Sequence, residues 1–166
     1  MKRYSDNTVK RAAACIRSIR GRLKERYVPE LQEIFAEGTL IYEHTLVLKD
    51  VYDPAKRLEC TLEFGGHHVY PDCVYFRTPT ESFLLNGHDF GDGRSKGDTM
   101  FDEHGLEYER NCEAALLLIK NWPKFEKSLK RSIGRMKTWA DDMAGSILDD
   151  AERYFEASGS GKEDEA

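Results

Sequence analysis

Side chains with chemistry to offer gather in three places. His67 and His68 follow the Gly65-Gly66 pair, with Cys60 and Cys73 on either side. Imidazoles and thiolates are the donors zinc prefers, but Cys-x6-His-His-x4-Cys fits no established ligand spacing. Neighbouring residues of a strand point to opposite faces, so both histidines could ligate only from a turn. We expect two surface histidines and assign no metal.

The second place is the stretch 86–105, where five of 20 residues are glycine. Between them stand His88, Asp89, Asp92, Arg94, Lys96 and Asp98. Paired aspartates could hold a hard cation, and glycine amides could cradle an anion. The stretch has neither the Asp-x-Asp-x-Asp-Gly of an EF-hand nor the Gly-Lys-Ser/Thr of a P-loop. We read it as a solvated connection whose Asp89, Asp92 and Arg94 are candidates for touching a partner. A metal-dependent enzyme working through this loop is an alternative.

Basic residues make the third. Lys10, Arg17 and Lys24 recur every seven residues along one flank of a helical pattern, and Arg11, Arg22 and Arg26 line the other. Such a helix could lie across phosphates. Against this, the chain carries 25 Lys and Arg against 30 Asp and Glu, a net of −5. Residues 27–119 alone hold seven bases and 18 acids, a net of −11. Helix-turn-helix, zinc-finger and RNP patterns are missing, so nucleic-acid binding through Lys10, Arg17 and Lys24 is kept as an alternative. The acidic middle suggests the reverse, a negative surface that occupies another protein's nucleic-acid channel. Small acidic proteins of phages and mobile elements often inhibit host defence complexes in this way, a similarity of type that no residue here carries.

No Ser-His-Asp or Cys-His arrangement stands out, and we name no catalytic residue and no cofactor. The four cysteines, Cys15, Cys60, Cys73 and Cys112, are scattered without a CxxC pair. Without an export signal they read as reduced, mostly buried thiols in a cytoplasmic protein. No apolar run approaches the roughly 18 residues of a membrane span.

The framework that must position these groups reads as α+β. Val9, Ala12, Ile16, Ile19, Leu23 and Tyr27 recur at three and four, which predicts a helix over 7–26 capped by Ser5, Asp6 or Asn7. A short helix follows over 29–36, with Pro29 in its first turn. The period then falls to two. Strands are expected over 39–49, 57–64, 73–77 and 82–85, an antiparallel meander of three to four strands. Pro71 and Pro79 suggest that the last two lie at an edge. A helix over 106–120 should end at Asn121-Trp122-Pro123, and a last helix should run from 122 to 157. One domain over 1–157 and a disordered acidic tail over 158–166 complete the expectation.

The last helix is the most informative element. Trp122, Phe125, Leu129, Ile133, Met136, Ala140, Met143, Ile147, Ala151 and Tyr154 fall within about 100° of its wheel. Its 36 residues would span about 54 Å, more than the roughly 40 Å diameter of a compact domain of this size. Either the helix breaks, near Gly134 or Gly145, or a second chain covers part of the stripe. Charge is segregated along it. Residues 120–137 hold seven bases and one acid, a net of +6, and residues 138–166 hold two bases and nine acids, a net of −7. That order opposes the helix dipole. Two copies packed antiparallel would set each basic half against the other's acidic half. The sequence therefore suggests a non-enzymatic protein-binding module that self-associates as a homodimer. The contact residues expected are Trp122, Phe125, Leu129, Ile133, Met136, Met143 and Ile147.

Overall fold

The structure, a computed structural model, describes residues 3–35, 42–65, 73–87 and 100–165, with side chains to 159. His67, His68, Asp89, Asp92 and Arg94 lie outside them. The chain divides into two compact units, Met1–Leu129 and Lys130–Ala166.

Helix α1 covers Asp6–Arg22 and is capped by Ser5, whose side chain accepts from the Thr8 amide at 3.2 Å. It passes through a π-helical turn, Leu23–Tyr27, into α2, Val28–Ile34, with Pro29 in the first turn. The wider turn suits the run Ile19, Leu23, Tyr27, Leu31. Successive spacings of four would rotate off the core in a regular helix of 3.6 residues per turn. All four side chains are buried.

Four strands follow: β1, Tyr42–Lys49; β2, Arg57–Phe64; β3, Val74–Arg77; β4, Ser82–Asn86. They form one antiparallel sheet in the order β1-β2-β3-β4, the expected meander. The expected edge position holds for β4 but not for β3, which pairs on both sides. Pro79 stands between the two strands and removes no ladder donor, and Pro71 lies outside the described residues. On β2, alternation buries Cys60, Leu62 and Phe64 as expected. Glu63 departs from the wet face expected of it. It is buried, and its carboxylate accepts from Arg77 of β3 at 2.7 and 2.9 Å. A buried carboxylate needs such a partner, and a bidentate guanidinium supplies it. Gly87 closes β4 with φ of 106°, where an added Cβ would stand 2.7 Å from the Cys73 backbone.

After a 3-10 turn at Gly105–Glu107, helix α3 runs from Glu109 to Glu165. Two expectations are corrected here. Asn121-Trp122-Pro123 does not break the helix, and Pro123 lies inside it. A proline within a helix costs about 3 kcal/mol. Burial of Leu117, Leu118, Trp122, Phe125 and Leu129 on both sides of it outweighs that cost. Pro123 itself is exposed, on the side where a carbonyl freed of its donor can meet water. The helical backbone also continues past 157 to Glu165, because extending a formed helix is far easier than starting one. It passes Gly134 and Gly145 without interruption, and a Cβ added at either would meet nothing within 4 Å. Among the described residues no helix is long and apolar enough to cross a membrane.

The core of the first unit lies between the sheet, α1 and the start of α3. Phe64, Phe76, Phe83, Phe101 and Phe125 are fully buried there. Phe83 stacks on Phe101 at 5.0 Å, and Phe76 meets Phe125 edge-on at 6.3 Å.

Candidate interaction surface

Cys15 is exposed, and the other described thiols offer little chemistry. Cys60, Cys73 and Cys112 are buried, and burial pushes the Cys60 thiol up to about 11. Such a group stays protonated at neutral pH and is a poor nucleophile or ligand. Among the described residues no three His, Cys, Asp or Glu side chains converge as a metal set would.

One pairing escaped the sequence. His44 of β1 places Nε2 2.9 Å from Ser128 Oγ of α3 and Nδ1 3.2 Å from the Tyr42 hydroxyl. Its partners are 84 residues and two residues away, so no local motif announces it. A serine beside a histidine is a nucleophile-base geometry. Here His44 is 9% exposed and no carboxylate among the described residues orients it, so the trio serves as a buried polar tie between the sheet and α3. Burial lowers the His44 pKa below its ordinary 6.5. The folded state therefore binds fewer protons than the unfolded chain once pH falls through about 6.5, and stability drops with it. We expect the melting temperature to fall between pH 7 and pH 5.5. The fall should be shallower in His44→Gln, compared by thermal melts at both pH values.

A cleft of about 240 Å³ opens beside the β1–β2 and β3–β4 turns, over Leu58, Phe83 and Leu117. Of its charges, Glu81, Arg110 and Glu113 are engaged with neighbours. Arg110 pairs with Glu81 at 2.5 Å, and Arg3 reaches Glu113 at 3.3 Å. The Glu113 carboxyl lies above its ordinary range, first through burial and then through Glu109 beside it.

Lys10, Arg17 and Lys24 are exposed along the first helical segment. Of the opposite flank, Arg22 is taken up by Glu126 at 2.5 Å, and Arg26 lies 3.8 Å from Glu30. Two of the three bases on that flank thus stand beside acids, while Arg11 is exposed.

The apolar stripe of α3 divides into two parts. Trp122, Phe125, Leu129 and Ile133 are buried within the folded chain and have no face to offer a partner. Met136 is half-buried. Beyond it Trp139 and Ile147 are each 61% exposed, Met143 44%, Tyr154 67% and Phe155 68%. Leu148 is exposed as well. At 100° per residue Trp139, Met143, Ile147 and Tyr154 share an arc of about 80°. Phe155 and Leu148 extend it on the far side of Ala140, Ala144 and Ala151. Arg135, Trp139, Met143 and Ile147 line one shallow groove along the helix. Trp139 and Phe155 stand outside the narrow stripe chosen from the sequence, although their spacing from Met143 and Leu148 was there to be read.

These six large side chains expose on the order of 700 Å² of mostly apolar surface, taking roughly 150–250 Å² for each aromatic one. The largest such patch on a typical monomer is roughly 300–600 Å². Compared with known protein families, with curated proteins and with solved structures, the chain matches none.

Proposed function

We propose that this protein is a non-enzymatic binding module that associates with itself through the helical face 136–155. The supporting observation is the exposure of Trp139, Met143, Ile147, Leu148, Tyr154 and Phe155 on one uninterrupted helix. Apolar surface in that amount is favourably removed from water at roughly 25 cal/mol per Å². Two copies contribute on the order of 1,400 Å², within the range of specific protein interfaces.

Sedimentation velocity tests the reading. We expect a dimer at about 100 µM protein and low salt, dissociating on dilution with a micromolar Kd. A single monomeric species at that concentration overturns it.

A further inference from the structure

We infer that the outer edge of β1 is a second contact between copies of this chain, in which two β1 strands pair antiparallel about a two-fold axis at Leu46. The inference is independent of the helical face. β1 stands at one end of the sheet and pairs only with β2. An edge strand leaves every other N–H and C=O without a ladder partner, and proteins commonly guard such an edge with charge, proline, a bulge or a covering element. β4, at the other end, is guarded. It is five residues long, and its register to β3 shifts between Val74 and Tyr75. It is also tied to α1: Arg20 Nε donates to the Leu85 carbonyl at 2.8 Å, and Asn86 Nδ2 donates to the Arg20 carbonyl at 3.1 Å. β1 is built differently. Its eight residues include no proline or glycine and pair with β2 in unbroken register from Tyr42 to Lys49. Its middle, Thr45-Leu46-Val47-Leu48, is uncharged, and Val47 is 50% exposed.

Charge and alternation select the occupant and the register. Glu43, Thr45, Val47 and Lys49 are exposed on one side of the strand. Within the chain both charged ends stand opposite like charges, Glu43 across from Glu63 and Lys49 across from Arg57. Like charges directly across a ladder are unfavourable. Antiparallel pairing about Leu46 sets Glu43 of each copy opposite Lys49 of the other, twice in one two-fold contact. Thr45 then meets Val47, a β-branched pair, also twice. On the side that bears His44, Leu46 meets Leu46 and His44 meets Leu48. A shift of one residue sets exposed positions against buried ones, and a shift of two separates Glu43 from Lys49. A parallel pair in register brings like ends together. With Val47 the one large apolar side chain on its exposed side, this contact is the weaker of the two.

The test uses the full chain carrying Ile147→Asp, which removes the helical contact. Amide hydrogen exchange along residues 43–49 should slow about threefold between about 20 µM and about 500 µM protein, as association protects the edge. Zero-length carbodiimide coupling at the higher concentration joins an amine to a carboxylate that it touches. Glu43 and Lys49 lie about 20 Å apart along one strand, so coupling between them must join two copies. In a mixture of isotope-labelled and unlabelled protein, we expect a Glu43–Lys49 link with one half of each kind. Slowed exchange without that link overturns the pairing about Leu46. Unchanged exchange overturns association through β1 and leaves the helical face standing. Charge exchange gives a further readout. Glu43→Lys and Lys49→Glu should each weaken the association about fivefold, and the two together should restore it. The two positions are too far apart to compensate within a chain, so rescue reports only on the partner. Failure of the double variant to recover counts against the register. Val47→Lys places a charge on an exposed site and should abolish the protection with melting unchanged; protection that persists in it overturns the edge contact.

Discussion

We expect Ile147→Asp to raise the Kd of the proposed dimer by about a hundredfold or more and to leave the melting of the rest of the protein unchanged. Ile147 is 61% exposed, centred in the groove between Met143 and the aromatic end of the face. Burying such a side chain stabilises by about 1.5–3 kcal/mol. A two-fold contact counts each substitution twice. The two losses together come to about 3–6 kcal/mol, and each 1.4 kcal/mol is tenfold in Kd. The introduced carboxylate adds to the effect. It would be desolvated without a partner, beside Asp149 and Asp150 of its own helix. In the isolated helix the substitution touches only solvent, so helical circular dichroism is retained. Sedimentation reads the dissociation. Trp139 emission provides a second measure, because its indole passes from a contact to water. A variant that still dimerises with unchanged affinity would remove this face from the association. Glu152→Gln, on the opposite side, is the matched control and should change Kd by less than about twofold.

The sequence disclosed the elements more fully than their continuity. Periods of four and three placed α1 with its π-helical turn, and α2, within a residue or two, and the alternation from Leu58 to Phe64 placed β2 to the residue. Turn residues separated the strands, and the meander followed because short connections favour antiparallel neighbours. What local patterns misjudged were the competitions that tertiary packing decides. Pro123 looked like a terminus because its local cost is large, and only the buried side chains flanking it show why the helix continues. Glu63 looked solvated because its partner Arg77 is on another strand. The His44–Ser128 contact joins β1 to α3 and has no sequence signature. For the interaction face, the sequence showed one unbroken apolar stripe. It could not show where the fold stops covering that stripe. Periodicity reports which residues share a face of a helix and carries no information on what lies opposite. The structure draws the division between Ile133, buried, and Trp139, exposed.

Phe125→Ala tests the other side of that division. Phe125 is fully buried, with its ring 6.4 Å from His44 and 6.3 Å from Phe76. Truncating a buried phenylalanine costs about 3–5 kcal/mol, from lost burial and from the cavity left behind. Typical domains have about 5–15 kcal/mol in all, so the loss is a large fraction of the total. Urea titration should show the midpoint falling with little change in slope, as expected when stability changes and compactness does not. Phe125→Leu keeps most of the volume and should recover the larger part of the loss. Because His44 packs on the ring, combining Phe125→Ala with His44→Gln should cost less than the sum of the two. Under conditions where the Phe125→Ala protein remains folded, its dimer Kd should be unchanged. Ile147→Asp, in turn, should not move the urea midpoint measured on the monomer. The two residues are 22 positions apart on one amphipathic stripe, yet burial of Phe125 stabilises the fold and exposure of Ile147 leaves it available to a partner. If both variants weakened stability and association together, the stripe would be acting as a single surface and its division at residue 133 would be wrong.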